Sequence, residues 1–201
     1  MIGLMTKNKD DVILRDRMQF TLDGNGDRTT LYGRIDLSQY VDPIARKGLA
    51  IKEVLFQLRD PTNTGLPNTG AFNPVASWQS GSGSVGDVGC LKLYATTRAY
   101  ENASEVGIAS PDVLCIYERS SMVGVNGTGD SGIVNEDFWY GPKDLHPEGF
   151  TVVSDLLIGV ATDRWTQQAD DTVEVDIMLI AEPIKVTTER VNEILSQAQD
   201  L

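Results

Sequence analysis

The chain has 201 residues, 41% hydrophobic and 23% charged, long enough to bury a core without disulfides or metals and too apolar for general disorder. Its formal net charge of −12 repels phosphates and anionic lipid, which argues against nucleic acid and membrane surfaces as direct partners. No run is long and apolar enough for a transmembrane helix.

Met1–Asp16 mixes charge and short apolar pieces, broken by Lys7, Lys9, Asp10 and Asp11. It reads as an N-terminal arm (residues 1–16) without the apolar centre of a signal peptide, so the expectation is a chain made in a cytoplasm. Met18–Leu22 alternates polar and apolar residues, Asp23-Gly24-Asn25-Gly26-Asp27 is a turn signal, and Thr30–Leu37 alternates again. Together they predict a hairpin. A strand over residues 50–59 ends at Asp60-Pro61, with Ile51, Glu53, Leu55, Gln57 and Arg59 on one face. Residues 62–89 are rich in Gly, Ser, Asn, Thr and Pro and form a long loop of the kind that carries contacts, with Trp78 as its anchor.

Strands follow at 90–96 and 112–118, each holding one cysteine. Cys90 and Cys115 read as buried free thiols, with a cross-strand disulfide as the alternative. Residues 98–110 are a connection or short helix, and residues 120–132, with four glycines, are a loop. Glu136–Tyr140 is a short aromatic strand stopped by Gly141-Pro142. Residues 150–162 form one long apolar strand, and 172–186 the last, where Pro183 marks an edge or a strand end. Val191, Ile194, Leu195 and Ala198 fall at helical spacing, so residues 187–201 hold a short amphipathic helix capped by Thr187 or Thr188. Its stripe needs a surface, either its own domain or a neighbour.

Eight strands with no crossover helices predict an all-β, antiparallel sandwich of the jelly-roll type over residues 17–186; other sandwiches and open barrels are the alternatives.

The residues offer little reaction chemistry. His146, in Leu145-His146-Pro147, is the one histidine, and a nucleophile needs both a base and an orienting group. Two strand cysteines and one loop histidine lack zinc spacing. Asp23, Asn25 and Asp27 match the first calcium-loop positions, but Arg28 replaces the turn glycine and Arg34 the bidentate glutamate. The competing reading is a turn, which needs the same residue types. Asp130-Ser131-Gly132 is a single copy of a motif that aspartic proteases need twice. Glu136 and Asp137, beside Phe138, Trp139 and Tyr140, are the best carboxylate pair for sugar chemistry. The aromatics are more economically read as core or interface. Asn102-Ala103-Ser104 and Asn126-Gly127-Thr128 match glycosylation acceptors without a secretory context. No enzyme and no cofactor is expected.

This order of strands, loops and arm, closing on Val173-Glu174-Val175-Asp176-Ile177-Met178-Leu179-Ile180-Ala181-Glu182, resembles a single jelly-roll capsid protein of an icosahedral virus of bacteria or archaea. The resemblance is architectural and covers roughly residues 17–186. It implies a virion subunit, made in the host cytoplasm, that assembles with copies of itself and other virion proteins through its arm, long loops and C-terminal helix. Trp78, Phe138, Trp139, Tyr140, Val191, Ile194 and Leu195 are the expected contact residues. The arm departs from the basic arms of genome-facing capsid proteins: Lys7, Lys9, Arg15 and Arg17 stand against Asp10, Asp11 and Asp16. Direct nucleic-acid binding is therefore not expected. The rival reading is a carbohydrate-binding or adhesive sandwich using Trp78, Trp139 or Trp165, and a sugar-active enzyme is the third.

Overall fold

The computed structural model describes residues 11–61, 88–125 and 131–197. Within them lie nine strands: β1 (Val12–Thr21), β2 (Arg28–Ile35), β3 (Lys47–Arg59), β4 (Val88–Thr96), β5 (Val113–Val125), β6 (Ser131–Tyr140), β7 (Phe150–Val152), β8 (Leu156–Asp163) and β9 (Thr172–Lys185). Two helices follow the edges, α1 (Pro142–Leu145) and α2 (Thr188–Gln197). One antiparallel sheet runs β1-β9-β3-β7 and the other β2-β8-β4-β5-β6. The pairs β1·β9, β2·β8, β3·β7 and β4·β5 nest inside one another along the chain. That is a long hairpin folded over itself, a β-sandwich of jelly-roll type.

Alternation explains the core. Met18 and Phe20 of β1, Val173 to Ala181 at every second residue of β9, Leu91, Leu93 and Ala95 of β4, and Ile158 and Val160 of β8 fill the space between the sheets. In β3 the alternation slips: Ile51 pairs with Ala181, but Glu53 pairs with Ile180, leaving Lys52 as the extra residue of a bulge. Leu49 and Ile51 therefore share the inner face with Val54, Phe56 and Leu58, which corrects the strict period expected for this strand. Lys52 turns outward to Asp11 at 2.6 Å and Glu182 at 3.2 Å.

Several boundaries and one pairing differ from expectation. There are nine described strands, because residues 150–162 break at Val153-Ser154-Asp155 and cross from one sheet to the other. Asp155 fixes that corner by accepting the Leu37 N–H at 3.0 Å and binding the Arg34 guanidinium. Residues 120–125, expected in a loop, continue β5, and β6 starts at Ser131, so the two make a ten-pair ladder without a bulge. β1 begins at Val12, inside the stretch expected to be arm; residues 1–10 lie outside the described ones. β1 and β2 are not a hairpin, since they belong to different sheets. The Asp23–Asp27 turn instead packs on the β8–β9 connection: Gly26 has φ +79° and a β-carbon there would collide with the Trp165 backbone, and the Trp165 N–H donates to the Gly26 carbonyl at 3.0 Å.

Pro183 lies in a central strand but beyond the last β1 pair, Val12 with Ala181, so its missing N–H leaves no gap in that ladder. α2 starts where Thr187 Oγ1 accepts the Arg190 N–H at 3.2 Å, as expected of its cap.

Candidate functional site

Successive residues of β6 point to opposite faces, so the aromatic run Phe138-Trp139-Tyr140 is divided by the backbone itself. Trp139 faces inward. Its ring lies 5.6 Å from that of Tyr117, tilted 54°, and 6.1 Å from that of Phe56 on the opposite sheet, at 65°. β7 pairs with β3 over Leu49–Ile51 alone, so the five-stranded sheet overhangs the shorter one here. The overhang leaves a notch of about 270 Å³ lined by Phe56, Leu58, Leu93, Tyr117, Arg119 and Trp139. Trp139 remains 45% exposed at its mouth. Arg119 clamps Asp137 with two hydrogen bonds, Nε to Oδ1 at 2.7 Å and Nη2 to Oδ2 at 2.9 Å, and the Tyr117 hydroxyl donates to the same carboxylate. The guanidinium holds the Asp137 carboxyl below its ordinary range, against a smaller opposing effect of burial.

Glu136 lies on the other face, paired across the ladder with Ser120. Glu136 and Asp137 therefore cannot flank one glycosidic bond, which removes the carboxylate pair considered from sequence. Phe138 shares the outer face and is 43% exposed. Tyr140, also outward, packs on a cluster of Tyr94, Ala103, Val106, Val113 and Ile116. Residues 97–112, with a 3-10 turn at 103–105, fold over that half of the outer face. Tyr94 donates to the Tyr32 hydroxyl at 2.6 Å, which donates to the Tyr100 carbonyl at 3.1 Å.

The helix stripe is divided too. Val191 is buried and Ile194 half-buried against Val153, Val186 and Ile184 of the chain's own domain, while Leu195 stays exposed. Two of the three helix residues expected at a neighbour are thus used at home. Trp165 is fully buried, which takes it out of any sugar-binding role. Trp78 and Asp130 lie outside the described residues.

The turn carboxylates are occupied by backbone. Asp23 Oδ1 accepts the N–H groups of Asn25 at 2.8 Å and Asp27 at 2.9 Å, which lower its pKa, and Asp27 Oδ1 accepts the Arg164 N–H at 2.6 Å. Asp23, Asn25 and Asp27 thus form the hydrogen-bonded turn that competed with the calcium reading. Among the described residues no group of three or more His, Cys, Asp and Glu is placed to hold a metal. His146 follows α1, exposed, its Nδ1 accepting the Glu148 N–H at 3.1 Å. Both cysteines are free; Cys115 is buried as expected, whereas Cys90 is exposed, because β4 turns it outward.

The outer faces carry a signal that the sequence reading passed over. Both retain solvent-exposed apolar side chains: Ile13 and Leu55 on the four-stranded sheet, Val88, Met122, Val134 and Phe138 on the five-stranded one. The alternation is visible in the sequence, but only the pairing registers show that Val88, Met122 and Val134 stand side by side across β4, β5 and β6. No helix among the described residues is long and apolar enough to cross a membrane. No protein-family model matches the chain, and no curated protein matches it.

Proposed function

We propose that the chain is a structural subunit of a virion, a single jelly-roll capsid-type protein that assembles with copies of itself and other virion proteins into a shell. The observation that carries this reading is the nested order of its strand pairs across two sheets of order β1-β9-β3-β7 and β2-β8-β4-β5-β6. Exposed apolar side chains on both outer faces, three of them in one row on the five-stranded sheet, support it, since clustered apolar surface marks contact sites. The acidic charge fits a subunit whose contacts are to protein and not to phosphate. On this reading the protein is not an enzyme, and it is made in the host cytoplasm and ends in the particle.

Electron microscopy and light scattering of concentrated protein test this. Closed or extended assemblies of many subunits are expected; a monomer at every concentration and salt level sinks the proposal. A carbohydrate-binding module is the second reading, favoured by the half-exposed Trp139 beside Tyr117 and Phe56. A discrete monomer that binds glycans with quenching of its tryptophan emission decides for that reading.

A further inference from the structure

The open half of each sheet's outer face is an ordered patch. On the five-stranded sheet, Val88, Met122 and Val134 are direct neighbours across β4, β5 and β6, and are 37%, 45% and 59% exposed. The next row along is Cys90, Ser120 and Glu136, and the one after it Lys92, Glu118 and Phe138. Lys92 and Glu118 are paired at 2.7 Å. Glu136 and Asp163, the latter opposite Cys90, have no ion pair among the described residues.

The four-stranded sheet offers the matching arrangement. Arg15, Met178 and Leu55 stand in one row across β1, β9 and β3, and Ile13 and Ile180 in the next. The charges around them are satisfied: Arg17 and Arg59 bind Glu174 and Asp176, Lys52 binds Asp11 and Glu182, and Glu53 binds Lys143. Arg15 alone among these described cations has no partner.

One face thus presents Met178, Leu55, Ile13 and Ile180 beside the unpaired Arg15 guanidinium, the other a single apolar row of Val88, Met122 and Val134 beside the unpaired Glu136 and Asp163 carboxylates. The unpaired charges of the two faces are opposite in sign, so each offers the other a partner that it cannot offer a copy of itself. We infer that the outer face of the four-stranded sheet docks on the outer face of the five-stranded sheet of a second copy, with Arg15 meeting the Glu136 and Asp163 side. The inference rests on the shell-subunit reading and names the contact that builds it. Because the two faces differ, the contact is head-to-tail, and such contacts close into rings when the rotation between copies permits. Phe138 and Met122 become central contacts. Leu195 and the Trp139 notch lie outside this interface.

Blocking one face at a time tests it. Leu55→Glu, or Ile13→Glu where the first does not fold, blocks the four-stranded face; Val134→Glu, or Met122→Glu, blocks the five-stranded face. All four positions are more than a third exposed, and circular dichroism with thermal melting verifies the folded state. Light scattering after size exclusion should give each blocked protein as a monomer of 21.9 kDa. Mixed, the two should form a 1:1 dimer and stop there, since each has one intact face. Particles of wild-type size from either blocked protein overturn this interface and leave the shell reading standing. A dimer formed by either blocked protein alone means a self-complementary contact and also overturns it, as does a mixture that stays monomeric. A wild-type protein that never assembles removes both this interface and the reading beneath it.

Discussion

Gly159 of β8 stands directly across the ladder from Tyr94 of β4, and the tyrosine ring fills the space that a β-carbon on Gly159 would occupy. The ring is fully buried on the outer face, under residues 97–112, with its hydroxyl bonded to Tyr32. Gly159→Ala should destabilise the protein by about 1–3 kcal/mol, the range for overpacking a filled site. Urea denaturation measures it. An unchanged midpoint would mean that the ring does not sit over the glycine.

Glu174 is a buried carboxylate in a central strand, and it ties three strands together. Its oxygens take Gln19 Nε2 of β1 at 2.5 Å and Arg59 Nη1 of β3 at 3.2 Å, with Arg17 Nε at 3.7 Å. Glu174→Ala should cost roughly 2 kcal/mol, because the change strands polar partners as well as deleting bonds to a charged group. Asp176→Ala, at a more exposed site on the same face, should cost less than 1 kcal/mol, as is usual for surface ion pairs. Equal losses in the two variants would contradict the burial seen here.

The Arg119–Asp137 clamp predicts an acid-sensitive β6 edge. Arg119 depresses the folded-state pKa of Asp137 below the ordinary 3.8, so the unfolded chain binds this proton more tightly. The stabilisation is present above the unfolded value and disappears as pH falls through the folded one. The site is half-exposed, so the loss is small and local. In an NMR titration the Asp137 carboxyl should show a midpoint below 3.8, and Arg119→Ala should move it upward. A midpoint that ignores Arg119 refutes the clamp.

The two thiols should separate cleanly in labelling. Cys90 is exposed and Cys115 is fully buried, with burial pushing its pKa far up. A maleimide should modify one thiol per native chain and two per denatured chain. Burial, then Asp163 and Glu118, also raises the Cys90 pKa, so its reaction should be slow at neutral pH and quicken in alkali. Rapid modification of both thiols in the native protein would be incompatible with the packing of β5.

Much of the architecture was legible because alternation is a one-dimensional signal. Val173 to Ala181 and Leu91 to Ala95 gave their inner faces directly, and Thr187 gave its cap. The misses share one cause: pairing in this fold is remote in sequence. Nothing local says that Thr21 meets Thr172, so a turn as strong as Asp23–Asp27 predicts paired neighbours where the chain in fact passes between sheets. The Ser154-Asp155 break inside an apolar run was a readable corner signal. The Lys52 bulge was not, since its cause is the register with β9. For the candidate surfaces, the exposed aromatics of β6 were found from composition. The split of Trp139 from Phe138, and the side-by-side rows of Val88, Met122 and Val134, needed the ladder.

Because β1, among the described strands, pairs with β9 alone, it has no sheet to join until β9 has left the ribosome. The middle of the chain, β4 with β5 and β6, can zip first, and the ends must close over it. Contacts so distant along the polymer make folding slow, on the millisecond-to-second scale of all-β domains. Newly made protein therefore spends that interval with an unfinished sheet, and β9, which joins β1 to β3, is the strand that seals it.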